Sequence, residues 1–401
     1  MQLHVRMTPR DPTEPHRVAT PLELFLDLAF VVAIAQAAAG LHHGLVDGHV
    51  GDALIGFPAV FFAIWWAWMN FAWFGSAYDC DDALYRLAVF VQMTGVLVMA
   101  AGIPRAFDDR DLAVMTFGYV IMRLALVGQW LRVAFSDPSR HRTALRYALG
   151  ITVVQVGWLL RLLLPESWFA PAFIVLVAAE LAVPVWAEAA GRTPWHPHHI
   201  VERYGLFTII VLGESVLGAT LAVQAALDAD STFVDLAAVI GGGLLLVFSM
   251  WWIYFDLPSE RMVGQARREF EMGGAVAFEW GYGHYVVFGS VAAAGAGLAV
   301  SIDQVTGHST LSDAQAGVAA TLPVAIYVVT VWILHYRHKP PGPLRTVAPP
   351  FTVALLLLAS LTPEPVLVAG IVLAGLVAVN VVVNRDQPAP ADAHHPDPHA
   401  I

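Results

Sequence analysis

The chain is poor in charge. Of its 401 residues only 13% are Asp, Glu, Lys or Arg, against about 25% in a soluble domain. That shortfall excludes an ordinary water-soluble domain. Lys339 is the only lysine, and no basic cluster suits a nucleic-acid partner. Cys80 is the only cysteine, so neither an internal disulfide nor a cysteine metal cluster can form. No P-loop, nucleophile elbow, His-Glu-x-x-His pair or dinucleotide fingerprint occurs, which leaves no sign of ATP drive or of a bound cofactor. The opening stretch MQLHVRMTPRDPTEPHRVAT lacks the short apolar core of a cleavable signal, so the first apolar segment is expected to stay in place as a span.

What the chain has instead is hydrocarbon. It is 58% hydrophobic, in recurring runs of about 20 residues, the length that crosses about 30 Å of lipid. The runs predict an all-α polytopic membrane protein with twelve helices, near 22–41, 53–74, 84–103, 112–133, 145–164, 168–189, 203–224, 233–255, 275–300, 316–335, 347–361 and 364–384. The eleventh is short and begins with Pro349 and Pro350, so re-entry is its alternative to crossing. With the N-terminus inside and sides alternating, 17 of the 21 basic residues fall in cytoplasmic segments and three outside, at Arg105, Arg110 and Arg161. Such a split is the positive-inside pattern. It predicts a multi-pass cell-membrane protein with both termini cytoplasmic: an N-terminal segment over 1–20 and a disordered, solvated tail over 386–401.

Stretches of the chain recur. "WWAWMNFAWFGSAYD" from Trp65 resembles "WWIYFDLPSE" from Trp251. "YRLAVFVQMTGVLVMAAG" (Tyr85–Gly102) resembles "GHYVVFGSVAAAGAGLAV" (Gly283–Val300). "LELFLDLAFVVAIAQ" (Leu22–Gln36) loosely matches "VERYGLFTIIVLGES" (Val201–Ser215). The offsets grow smoothly, from 179 to 186 to 198 residues. The expectation is two six-helix halves, 21–190 and 191–385, repeated in parallel about an axis along the membrane normal.

Two further stretches carry a family resemblance. "TPLELFLDLAFVVAIAQ" (Thr20–Gln36) and "HIVERYGLFTIIVLGES" (His199–Ser215) resemble the paired signatures of the low temperature requirement A (LtrA) family of bacterial membrane proteins. There the first helix opens on P-L-E-L-F-x-D-L-x-F and a later one carries H-x-x-E-R-x-G-L-x-x-I-x-x-L-G-E. The resemblance covers about residues 16–385 and implies a membrane-embedded protein named for a growth phenotype, with no substrate and no catalytic residue assigned. The opening helix is also similar, more weakly, to that of lysosomal-type potassium channels, although Leu26-Asp27-Leu28 stands where those have Ser-Asp-Gly.

Charges inside spans are the candidate functional residues, because an ionisable group at a helix centre costs at least about 2.5 kcal/mol on insertion scales and normally faces the bundle interior. Glu214 lies roughly 16 Å past Arg203, beside Gly213 and Ser215. It reads as a proton- or cation-binding carboxylate or as a structural acid. Arg123 needs a buried partner, with Glu214 or Glu180 at similar depth. Pro184 loosens the helix after Glu180. Glu23 and Asp27 share one face at the start of the first span. Helix capping competes there with a polar lining that continues towards Gln36. Glu202 takes the matching place in the seventh span and faces His199, as a cytoplasmic gate or as a cap. Asp256, matched by Asn70, and Glu279 and His284, matched in part by Arg86, read as a duplicated polar site or as interfacial anchoring by Trp251, Trp252 and Tyr254. His196, His198 and His199 lack the spacing of a rigid metal site.

The leading expectation is a secondary transporter or ion-conducting protein. In it Glu214, tuned by Arg123 and Glu180, exchanges a proton or cation near the midplane, with the lipid bilayer and a proton, cation or small solute as partners. The alternative is a membrane enzyme acting on lipid through the cytoplasmic-side cluster His199, Glu202, Arg203, Asp256, Glu279 and His284. A membrane sensor or scaffold is the third.

Overall fold

A computed structural model describes residues 3–11, 14, 17–228, 233–256, 275–335 and 342–385. Among the described residues it contains twelve α-helices: α1 (Pro21–Val46), α2 (Val50–Tyr78), α3 (Ala83–Asp108), α4 (Ala113–Ser136), α5 (His141–Arg161), α6 (Phe169–Glu188), α7 (Pro197–Asp228), α8 (Phe233–Phe255), α9 (Ala275–Val305), α10 (Asp313–His335), α11 (Pro343–Ala359) and α12 (Pro365–Arg385). Each expected segment is a helix. Ten are long and apolar enough to cross a membrane. Leu149, Val153, Ile174 and Phe248 are among many large apolar side chains more than half exposed, an outer surface that suits acyl chains and not water. α11 is a continuous helix of 17 residues, about 26 Å long, and not a re-entrant loop. The tail after Arg385 lies outside the described residues.

α1, α2, α3 and α7 overrun the expected spans at both ends, whereas α6 and α8 do not. Thr20 caps α1 and Asp82 caps α3, whose first turn donates from Tyr85 N to Asp82 Oδ1 at 2.7 Å. Helix contacts follow one order twice. α1 packs on α2 and α3, then α3 on α4, α4 on α5 and α5 on α6. α7 packs on α8 and α9, then α9 on α10, α10 on α11 and α11 on α12, with α8 also against α12. α1 and α2 join the two groups by packing on α7 and α9. Close approach depends on absent side chains: a Cβ at Gly118 of α4 would stand 2.2 Å from Met99 N of α3. Arg161, counted among the basic residues outside, is the last residue of α5 and is buried with its guanidinium 4.0 Å from the Phe169 ring centroid.

The segment before α1 lies across one end of the bundle. Val5 N donates to Asp82 Oδ2 at 2.7 Å and Arg10 N to Ala77 O at 3.0 Å. Arg17 is buried and donates to the carbonyls of Gly75 and Ser76. Those are among the last carbonyls of α2, which have no acceptor role left inside the helix. Beside them, Asp79 follows the end of α2. Burial pushes its pKa from 3.8 up to about 6, with Glu23 adding to the rise and Arg17 opposing it. A carboxyl whose folded pKa is raised stabilises the fold below its unfolded pKa, and that contribution is lost as pH rises through the folded value. The melting temperature in detergent is therefore expected to fall between about pH 4 and pH 6 by an amount that Asp79→Asn removes. An identical pH profile for the variant would contradict this.

Candidate functional site

The two signature stretches meet. Glu23 first closes a capping box with Thr20: Glu23 N donates to Thr20 Oγ1 at 3.3 Å and Thr20 N to Glu23 Oε2 at 2.8 Å. The same carboxylate accepts from His199 Nε2 of α7 at 3.2 Å. One turn on, Asp27 takes Nη1 and Nη2 of Arg203, each at 2.7 Å, and Trp68 Nε1 of α2 at 2.8 Å. Both pairs are spaced i, i+4, so two helices of equal pitch present matching rungs, roughly 6 Å apart. Glu23 is 1% exposed, and Asp27, His199 and Arg203 are 0% exposed. A bidentate guanidinium–carboxylate pair is the strongest geometry available for such burial.

Aromatic rings enclose this seam. Trp68 stacks on Phe207 at 4.0 Å and meets Tyr204 edge-on at 4.9 Å. Tyr204 accepts from Trp73 Nε1 at 3.0 Å. His284 lies beyond it and donates from Nδ1 to Trp280 O at 2.8 Å. Its Nε2 therefore accepts from the Tyr254 hydroxyl at 2.9 Å. On the other side, His196 Nε2 donates to Glu14 O at 2.7 Å and its Nδ1 accepts from His199 N at 3.3 Å. That fixes a neutral imidazole, and burial lowers its pKa below the ordinary histidine value.

A second buried charge cluster sits within the first six helices. Glu180 of α6 receives five donors: Arg123 Nη2 and Trp66 Nε1 at 2.9 Å, Tyr119 hydroxyl at 2.8 Å, Gln155 Nε2 at 3.0 Å and Trp158 Nε1 at 3.3 Å. They come from α2, α4 and α5, so one carboxylate ties four helices together. Pro184 has no N–H to return to the Glu180 carbonyl. Of the two partners considered for Arg123, Glu180 is the one it has. Glu214 stands apart, half-buried on α7, whose neighbours are α1, α2, α8 and α9. Tuning of Glu214 by direct contact with Arg123 and Glu180 is therefore not what the packing provides. Similar depth did not imply lateral contact.

The remaining candidates scatter. Ser215 is buried and donates to Val291 O of α9 at 3.3 Å. Gln36 is nine residues past Asp27, half a turn off that face at about 100° per residue, so it does not extend the Glu23–Asp27 lining. Glu202 faces His198 at 3.9 Å, while His199 turns to Glu23. Asp256 is half-buried at the end of α8, and Asn70 caps back onto Trp66 O at 2.8 Å. Arg86 is exposed on Asp81 and does not mirror the buried His284. The side chain of Glu279 lies outside the described residues. No group of three or more His, Cys, Asp or Glu gathers as for a metal among the described residues. Sequence reasoning missed Trp66 and Trp68, whose indoles point to Glu180 and Asp27 respectively. The only signal was the "WWAWMN" run, read there as a repeat marker.

Residues 18–383 match the family of the bacterial low temperature requirement A protein (LtrA). The chain belongs to that family. Every member of the α1–α7 seam lies inside the matched range. This LtrA-family chain is also 26% identical over 298 residues to an uncharacterized protein of Rhizobium meliloti (strain 1021), covering 72% of this chain and 70% of that one. No solved structure matches.

Removing one partner of a buried pair strands a charge and costs about 3–5 kcal/mol, whereas replacing both by apolar residues is often neutral. Asp27→Leu and Arg203→Met are each expected to lose stability in that range in detergent unfolding, and the double variant to recover most of it. Additive losses would contradict the pairing.

Proposed function

We propose that the protein moves an ion or small solute across the cell membrane, and that the α1–α7 seam is its gate on the side of the N-terminus. The buried pairing of Asp27 with Arg203, joining two signature stretches 176 residues apart, carries this reading. A buried ion pair adds little stability over an apolar contact of the same volume. Its advantage appears when the contact must open, because water entering the gap solvates the separated charges. An apolar seam would have no such compensation. Glu23 with His199 forms the second rung. The repeated order of helix contacts supports a duplicated bundle able to rock about a central axis, the arrangement of parallel-repeat transporters.

Glu214 is the carrier carboxylate in this reading. It lies eleven residues beyond Arg203 on the same helix, roughly 16 Å deeper, and among the described residues no hydrogen bond or ion pair holds it. A gate at one end and an exchangeable acid near the midplane make a coherent path. Both termini are cytoplasmic in this account, in keeping with the distribution of basic residues. The membrane-enzyme alternative needs His199, Glu202, Asp256 and His284 to converge at one interface. His199 and His284 instead belong to separate hydrogen-bond sets, and Glu202 pairs locally.

The test is flux in proteoliposomes under an imposed proton or potassium gradient. Wild-type protein is expected to carry flux, Glu214→Gln to lose it by roughly a hundredfold, and Glu180→Gln to lower stability as well as flux. Absence of flux under every gradient, or full flux in Glu214→Gln, would sink this assignment.

A further inference from the structure

A cavity of about 560 Å³ opens between α1 and α2 on one side and α9 and α10 on the other. It lies towards the end of the bundle away from the ion-paired seam, where the α1–α2 and α9–α10 connections are. Its walls are hydrocarbon: Leu41, Phe57 and Phe61 face Val286, Ala293 and Leu322. Gly289 leaves room on α9, and Pro58 and Pro323 line it where α2 and α10 each lack a backbone donor. The Tyr285 hydroxyl, at the floor, is already committed to Pro58 O at 2.8 Å. The volume falls in the range of small-ligand sites, about 300–1,000 Å³.

Three observations say what occupies it. Every lining helix is among those apolar enough to cross a membrane, so at this depth the abundant ligand is an aliphatic chain. Deeper in, the hydroxyls of Tyr285 and Ser290 are committed to Pro58 O and Val287 O; the other polar groups lie towards the mouth, where Gln315 lines the cavity and His42 Nε2 meets Asp303 Oδ2 at 2.7 Å. The stretches that frame the mouth, 42–54 and 300–326, carry Asp47, Asp52, Asp303 and Asp313 and no lysine or arginine. The nearby Arg110 is bound to Asp52 and Glu166. With Asp52 held by Arg110 and Asp303 by His42, the carboxylates left for an ammonium are Asp47 and Asp313, the latter accepting only from neutral Gln304, whereas an anionic headgroup would meet no arginine or lysine that is not already paired. We infer that the cavity holds an acyl chain of a phospholipid whose headgroup carries an ammonium, of the phosphatidylethanolamine type, entering sideways from the bilayer.

This inference does not depend on transport, since lipid retention is read without any flux. The full-length protein would be purified in detergent, exchanged against phosphatidylethanolamine or phosphatidylglycerol, and weighed intact by native mass spectrometry. Wild-type protein is expected to retain phosphatidylethanolamine over phosphatidylglycerol by roughly tenfold or more. Ala293→Trp and Leu322→Trp, which fill the cavity from two different helices, are each expected to abolish that retention. Leu149→Trp, on an exposed face of α5, is expected to leave it unchanged. Melting curves of all variants identify any that fail to fold, and the second filling variant then decides. Retention of no lipid by wild type, equal retention in both filling variants, or preference for phosphatidylglycerol would each overturn the inference.

Discussion

A carboxylate surrounded by hydrocarbon must find its donors inside the protein, because lipid offers none. Asp27 and Glu180 meet that constraint in different ways, and much of the architecture follows from them. Glu180 draws five donors from three neighbouring helices, which fixes how α2, α4, α5 and α6 sit around one point. Asp27 draws its donors from α7 and α2, and so fixes how the second group of helices meets the first. The first cluster locks a bundle together. The second joins α1 and α2 to α7.

α2 is the element both clusters share. Trp66 and Trp68 are two residues apart, about 200° around the helix, so their indoles leave in nearly opposite directions, towards Glu180 and Asp27. A rotation of α2 would strain both hydrogen bonds at once. A movement of α2 would therefore act on the Glu180 and Asp27 hydrogen bonds together.

The spans were legible because a run of about 20 apolar residues has few alternatives. The polar residues in the second signature hid the true start of α7: a helix expected from 203 begins at Pro197, since His199 and Arg203 are buried by partners that hydropathy does not register. The i, i+4 spacing of Glu23 and Asp27 was also legible, and both the capping and the pairing explanations hold for Glu23. Lateral neighbours were not. Counting along the spans puts Arg123, Glu180 and Glu214 at one depth, but depth fixes one coordinate and helix packing fixes the other two. Gln36 was placed on the wrong face by following apolar neighbours and not the helical angle.

In the proposed transport cycle α1 and α7 part at the N-terminal end. Its most direct test is the distance between spin labels on Phe25 of α1 and Ile209 of α7, both exposed, with Cys80 replaced by serine and the protein in lipid bilayers. Two distance populations, with the longer one enriched by Asp27→Asn or by a proton gradient, are the predicted result. A single narrow distance, unmoved by either, would contradict the gate and leave the Asp27–Arg203 pair as a permanent strut.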